Sequence, residues 1–562
     1  MLFDCLICHF LSFSFLGSLC FASVQVPLQH GRDPGTERYD PYDGPLDGEF
    51  EALVSEAMGR YHVPGISVSI VDNDHTYAKG YGTAVFPSTL ATPETLYYGG
   101  STTKSFVAAA IQLLIEDSAN SSNPLRLRTP VSDLIREDFV LPDSYMTTHA
   151  TFEDLLSHRT GMPRHDFSYG GANLTVRDIV RSLRHLPLTA QIRTEYQYCN
   201  MMYVTLQHII ETITGRWLGY FLRERVWDVL SMSLTFFSLG DAQEAEASGQ
   251  AVLAHGYYWN DTGRQFVPQE YLDESANGGA GGVISNVVDY ARYLRAMMDM
   301  DPRLLATESY NALKTPRSFA GRAELWTGMS SYSLGWGYSI YGDAEVLHHN
   351  GLVTGFATTM WYMPSRKLGM TVMANADMPG YRAGSVLAYS MLEDLVGSPD
   401  GSRVDWITKF DQQMADQERQ WRNAKQRLFP DAPPPENAKP PTLQLSGYTG
   451  TFNHPGYQNI TLDVSRDILY SNKDSGEHLV AVNLQKTWKH ILDFEHISSD
   501  YFMARVRPWE GNPSEAFEKM DVFPAEFQIG VDGKVDMLGI AYEPKYEGKI
   551  WFKKIECGSS SL

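Results

Sequence analysis

The sequence predicts an α/β fold, an antiparallel sheet flanked by helices with a helical subdomain, followed by a small all-β domain. Three observations carry this reading. Hairpin patterns stand near both ends of the long N-terminal part, the stretch between them is mostly helical, and a proline-rich spacer precedes a run of short strands.

The chain begins MLFDCLICHFLSFSFLGSLCFASVQ, apolar from about Leu6 to Ala22 and ending in small residues, which reads as a signal peptide over residues 1–22 and a secreted protein. No Lys or Arg precedes Arg32 and Asp4 sits where a basic start is usual, so a hydrophobic anchor or an atypical leader stays open. Cys5, Cys8 and Cys20 fall inside this leader, which makes their spacing leader composition and not a metal or redox motif. Cys199 and Cys557 remain, too few for a disulfide framework. N-x-S/T sequons at Asn120, Asn173, Asn260 and Asn459 are compatible with a secreted glycoprotein, and they also arise by chance.

The first hairpin is GISVSIVDNDHTYAKGYGTA, where Ile66, Val68 and Ile70 alternate, a turn falls at Asp72 to Asp74, and a second strand returns. The second is FATTMWYMPSRKLGMTVMANA, Phe356 to Ala376. Helical patterns over Ser101–Asp117, Met201–Thr214 and Val287–Met300 lie between them. We therefore expect one discontinuous domain over residues 40–398, its early and late strands sharing a sheet. Residues 399–441 read as a helical and proline-rich linker, with six prolines from Pro430 to Pro441 forming a stiff boundary crossed by few contacts. Residues 442–556 read as an all-β accessory domain.

At 562 residues, 43% hydrophobic and 20% charged, the chain can bury at least two cores without staples. A formal charge of −21 and the lack of a basic stripe exclude nucleic acid as a natural partner, and no internal apolar run reaches transmembrane length.

Within YYGGSTTKSFVAAAIQLLIED, Ser101 and Lys104 stand three residues apart where a glycine pair meets an apolar run. An ordinary capped helix accounts for much of this, with Ser101 as the N-cap and Lys104 in water. A nucleophilic reading needs partners: a base beside the hydroxyl, a relay, and donors for an oxyanion. Lys104 lies on the Ser101 face of the helix. Tyr-x-Asn occurs at Tyr198, Tyr258, Tyr457 and Tyr470, and Tyr198-Cys199-Asn200 stands out because Asn200 opens an amphipathic helix. The two beyond the spacer read as turn chemistry. His349-Asn350-Gly351 precedes the late hairpin and is expected on an edge strand, Gly351 letting a substrate approach the backbone. His348 reads as structural, and His454-Pro455-Gly456 as a decoy in the other domain.

Ser-x-x-Lys, Tyr-x-Asn and His-x-Gly in this order resemble the serine β-lactamase and penicillin-binding-protein-like family, with its class C β-lactamase, D-Ala-D-Ala carboxypeptidase and esterase relatives. VPGISVSIV, TFEDLLSHRTGMP, ANGGAGGVISNVVDYARYL and SLGWGY extend the likeness over about Gly48 to Val396. The resemblance implies a β-lactamase-like fold and a serine hydrolase in which Ser101 forms an acyl-enzyme and Lys104 and Tyr198 exchange the proton. Asn200, His349, Gly351 and Leu352 would meet the substrate, with the oxyanion between the Ser101 and Leu352 N–H groups. It implies no metal and no cofactor, and a structural role for His158. Where β-lactamases carry Lys-Thr-Gly and a hydroxyl residue, this chain has His349-Asn350-Gly351 and Leu352. The expected substrate is a small-molecule or peptide-like ester or amide, not one anchored by a carboxylate. Acyl transfer to an alcohol or amine through the same acyl-enzyme is the alternative, and an inactive binding protein on this fold a further one.

Overall fold

The computed structural model describes residues 44–170, 174–274, 276–321, 328–398, 401, 403–466, 476–508 and 521–555. The leader over residues 1–22, the Asn173 sequon, Tyr470 and Cys557 lie outside the described residues.

The early strand Gly65–Asp72 pairs antiparallel with both its hairpin partner His75–Val85 and the late strand Leu368–Ala374. Segments far apart in sequence thus meet in one nine-stranded sheet, continued by Phe356–Met363, Ala344–Val353 and Gly337–Tyr341. The alternation in Gly65–Asp72 divides between two covered faces. Ile66, Val68 and Ile70 join the core beneath the helices Gly48–Tyr61 and Met378–Val396, whereas Ser67 on the opposite face donates to the Thr92 carbonyl at 2.7 Å. The helix Val287–Asp299 covers that second face and joins it to the helical part. Asp47 caps the first helix, accepting from the Glu49 and Phe50 N–H groups. Among the described residues no helix is long and apolar enough to cross a membrane.

The linker does not stand free. Its helix Trp406–Arg422 folds back on the sheet domain, stacking Phe410 on Tyr389 and pairing Arg60 with Asp411 at 2.6 Å. The proline-rich stretch is tied along the following domain, where Lys439 accepts from the Ser499 N–H and Thr442 donates to Asp500. That domain is a closed eight-stranded antiparallel barrel from Gly450–His454 to Ile550–Ile555. Closure leaves no open sheet edge, and Phe452, Phe494, Phe502, Phe527 and Phe552 fill the interior.

The expectation of few contacts across the spacer is overturned. Residues 164–170 of the sheet domain are pressed into the barrel's face. Phe167 stacks on Tyr542 at 5.1 Å and meets Phe523 and His490 edge-on, while Tyr169 meets Trp488 at 5.2 Å. His165 has a left-handed backbone, φ 49°. Its Nε2–H donates to the Pro187 carbonyl at 2.9 Å, so Nδ1 accepts from the Tyr457 hydroxyl at 2.6 Å. Burial holds this imidazole neutral, its pKa lowered to about 4. Tyr457 is therefore an interdomain tether and not the turn residue expected. His454 does make a local turn, accepting from the Gly456 and Tyr457 N–H groups.

Candidate active site

The short strand Tyr97–Tyr98 delivers the chain to Gly99 and Gly100, and Gly100 takes a left-handed φ of 53°. A single 3₁₀ turn, Gly100–Thr102, follows, and the α-helix runs from Thr103 to Asp117. Ser101 is thus not the helix N-cap expected from its sequence. The 3₁₀ turn and the Thr103 N–H, which reaches the Gly100 and Ser101 carbonyls, supply the local hydrogen bonds, leaving the Ser101 hydroxyl for chemistry.

That hydroxyl receives a hydrogen bond from Lys104 Nζ at 3.0 Å, and the same amine donates to the Ala280 carbonyl at 2.7 Å. Lys104 is wholly buried, 0% exposed, within the nucleophile helix. Burial lowers its pKa well below the usual lysine value, and the Arg164 charge lowers it further. An amine whose charged form burial disfavours, set 3.0 Å from a serine hydroxyl, is suited to act as a base. Tyr198 closes the group: Lys104 Nζ lies 4.9 Å from its ring centroid, and burial raises its pKa while the nearby Ser101 opposes the rise. It immediately precedes Cys199, which N-caps the helix Asn200–Thr214. The buried His158 holds this start in place, its ring 4.3 Å from that of Tyr198 and its Nδ1 accepting from the Cys199 N–H at 3.1 Å.

The strand Ala344–Val353 is interior only in part. It pairs with Gly337–Tyr341 as far as His348 and is unpaired on that side from His349 onward, where it passes the nucleophile turn. A side-chain carbon on Gly351 would sit 1.8 Å from the Gly99 oxygen and 3.2 Å from the Ser101 nitrogen, and one on Gly100 would sit 2.7 Å from the Leu352 nitrogen. Glycine is needed at Gly351 because two backbones meet there, a different reason from the substrate approach expected. The consequence is that the strand carrying Leu352 runs directly against the turn carrying Ser101.

His349 departs from its expected contact with substrate. Its Nδ1–H donates to the Asn350 carbonyl at 2.7 Å and its Nε2 accepts from Tyr332 at 2.8 Å, so both nitrogens are engaged within the protein. Burial lowers its pKa to about 3 and keeps it neutral. Leu352, two-fifths exposed at 41%, takes its place at the cleft with Val353.

A model of the family described as Beta-lactamase matches residues 50–389. Proteins named unguisins hydrolase from Aspergillus campestris and Aspergillus violaceofuscus are 37% and 36% identical over 518 and 535 residues, covering 91% of this chain in each case and 92% and 91% of those proteins. This chain belongs to the beta-lactamase family. The octameric penicillin-binding protein homologue of Pyrococcus abyssi shares the fold at 23% identity, with a TM-score of 0.55 over 90% of this chain and 99% of that one. Residues 434–554 match a domain of unknown function, DUF3471. The beta-lactamase fold and a C-terminal barrel domain are thus both present, and hydrolases stand among the family relatives of this chain.

In this family member the cleft is built by both domains. A cavity of about 400 Å³ is lined by Ser101, Asn200 and Leu352 on one side and by Trp488, Lys489 and His490 of the barrel on the other. Asn277 joins the walls, donating to Thr487 at 2.8 Å, and Thr487 donates to the Gly170 carbonyl. Sequence reasoning passed over Arg164, whose guanidinium lies 5.1 Å from the Tyr198 ring centroid and pairs with Asp166 at 2.6 Å. It follows TFEDLLSHRTGMP directly, so its neighbourhood was signalled although its role was not. The barrel residues carried no signal, since only the interface brings them to Ser101.

Proposed function

We propose that this protein is a serine hydrolase that cleaves an ester or amide through an acyl-enzyme on Ser101. The observation that carries this reading is the fully buried Lys104 amine 3.0 Å from the Ser101 hydroxyl, beside a two-walled cleft. Neutral Lys104 takes the Ser101 proton as Oγ attacks the carbonyl carbon. The oxyanion is met by the Ser101 and Leu352 N–H groups. Tyr198, whose ring lies beside Lys104, passes the proton to the leaving group, and water then releases the acid. The two Aspergillus relatives make an unguisin the first natural substrate to try.

A neutral His349 and an aliphatic Leu352 offer no anchor for a carboxylate beside the reacting carbonyl, and Arg164 is engaged by Asp166. A charge-assisted hydrogen bond is worth about 1.5–3 kcal/mol, so activated esters should exceed β-lactams in kcat/KM by roughly tenfold or more. The test is labelling by a fluorophosphonate probe, with p-nitrophenyl butyrate and nitrocefin as competing substrates. Wild type should label at Ser101 and prefer the ester, and Ser101→Ala should do neither; labelling that survives in Ser101→Ala refutes the reading. Product analysis with an added alcohol or amine separates hydrolysis from acyl transfer.

A further inference from the structure

The cleft carries apolar surface that the chemistry at Ser101 does not use. On the barrel side this is Trp488, in the connection between the strands His478–Asn483 and His490–Ser498. Its side chain is only half-buried. The indole meets the buried Tyr169 ring at 5.2 Å and 69°, and the residue lines the cavity that holds Ser101. On the other wall Leu352 stands two-fifths exposed, on the strand that runs against the Ser101 turn. Single exposed apolar residues are ordinary on a protein surface, but an incompletely covered indole and aliphatic chain in one cavity with a nucleophile mark a place for an apolar group.

The indole is held in advance of any substrate. Before it, Thr487 Oγ1 donates to the Gly170 carbonyl, so it accepts from Asn277 Nδ2 at 2.8 Å. Lys486 is buried, its amine donating to the Tyr457 carbonyl. After it, Asn483 Nδ2 donates to His490 Nε2 at 3.2 Å, so His490 Nδ1–H donates to the Trp488 carbonyl at 2.8 Å. A connection tied on both sides of the indole presents a preformed surface, which loses little binding free energy to ordering. The neighbouring cation, Lys489, pairs with Glu270 of the sheet domain at 2.5 Å, so the wall beside the indole is electrically balanced.

Resting on the acyl-enzyme reading above, we propose that Trp488 is a specificity-determining residue: with Leu352 on the other wall it forms an apolar subsite that selects esters or amides bearing an aromatic or branched aliphatic side chain beside the scissile bond. The cavity, about 400 Å³, is far larger than an acetyl group, so a small ester leaves this apolar surface uncovered. A larger side chain takes apolar area of both partners out of water. That gain persists in the transition state and therefore appears in kcat/KM.

The experiment measures kcat/KM for two pairs of esters on full-length wild type, Trp488→Leu and Trp488→Ala. The pair p-nitrophenyl phenylacetate and p-nitrophenyl acetate varies the acyl side, and the pair benzyl acetate and ethyl acetate varies the leaving side. Trp488→Ala should lower the ratio of large to small substrate about 10- to 100-fold in one of the pairs, with a smaller drop in Trp488→Leu. Fluorophosphonate labelling of Ser101 reports that each variant is folded. If Trp488→Ala fails to label, Trp488→Leu, which keeps an apolar cover over Tyr169, carries the comparison. A merely structural indole would depress large and small substrates alike, so ratios that stay at wild-type values in both pairs overturn the assignment while the Ser101 reading stands. If wild type itself does not label at Ser101, the acyl-enzyme reading fails and takes this inference with it.

Discussion

Tyr198-Cys199-Asn200 and Tyr457-Gln458-Asn459 share a motif, and both tyrosine rings are enclosed by protein, yet they serve different ends. Tyr198 stands just before a helix that runs through the core, its ring 4.9 Å from Lys104 Nζ. Tyr457 precedes a barrel strand, and its hydroxyl reaches His165 in the other domain. On the proposed reading the first hydroxyl serves reaction chemistry, whereas the second ties the two walls of one cleft together. A tripeptide specifies a reach and a hydrogen-bonding group; what it meets is set by the element that carries it.

Removing the second wall should have the largest effect. Deleting the chain after Pro441 strips the covers from Phe167 and Tyr169 and leaves the His165 Nδ1 without its donor. The expected outcome is an aggregating or insoluble chain with no ester turnover, measured by yield and size-exclusion chromatography. A soluble, monodisperse and active truncation would show that the barrel wall is dispensable.

Within the full chain, the two tyrosines should separate chemistry from adhesion. Tyr198→Phe should lower kcat/KM for p-nitrophenyl butyrate about 10²–10⁴-fold with thermal stability nearly kept, since it loses a positioned proton carrier. Equal loss of turnover in Tyr457→Phe would erase the distinction.

The pH profile sharpens the account of the catalytic wall. Lys104 acts as a base only when neutral, so kcat/KM should fall as pH drops through its depressed pKa. Arg164→Gln removes a positive charge that depresses that pKa and frees the negative Asp166, and both changes raise it. The acid limb should therefore move to higher pH; a limb that stays in place or moves lower contradicts the Arg164 role. Smallest in effect, Tyr457→Phe should cost about 1–3 kcal/mol in a denaturant titration, the usual cost of leaving a buried polar atom unpaired, because His165 Nδ1 loses its donor.

Local patterns carried much of this molecule. Alternation over Gly65–Asp72 depends on side-chain period alone, and this strand and Phe356–Met363, bounded by its Pro/Gly turn, lie where the pattern put them. The helices over Thr103–Asp117 and Asn200–Thr214 follow their apolar spacing in the same way. The start of the first was misread because Ser101 has cap chemistry, whereas the glycine pair before it makes a left-handed residue and a 3₁₀ turn. His349 was misread because spacing shows where a residue stands on a strand and not which nitrogen its neighbours occupy; Tyr332 and the Asn350 carbonyl decide that.

The sequence by itself determined the sheet domain, the order of its reactive residues and the presence of a following β domain, since each depends on periodicity or on groups a few residues apart. Tertiary structure alone decided that Lys104 is stripped of water, that the Arg164 charge acts on it, that the Leu352 strand runs against the Ser101 turn, and that the barrel walls the cleft. Each of these depends on desolvation or on contact between segments distant in the chain. Such quantities arise only when the surfaces have closed on one another.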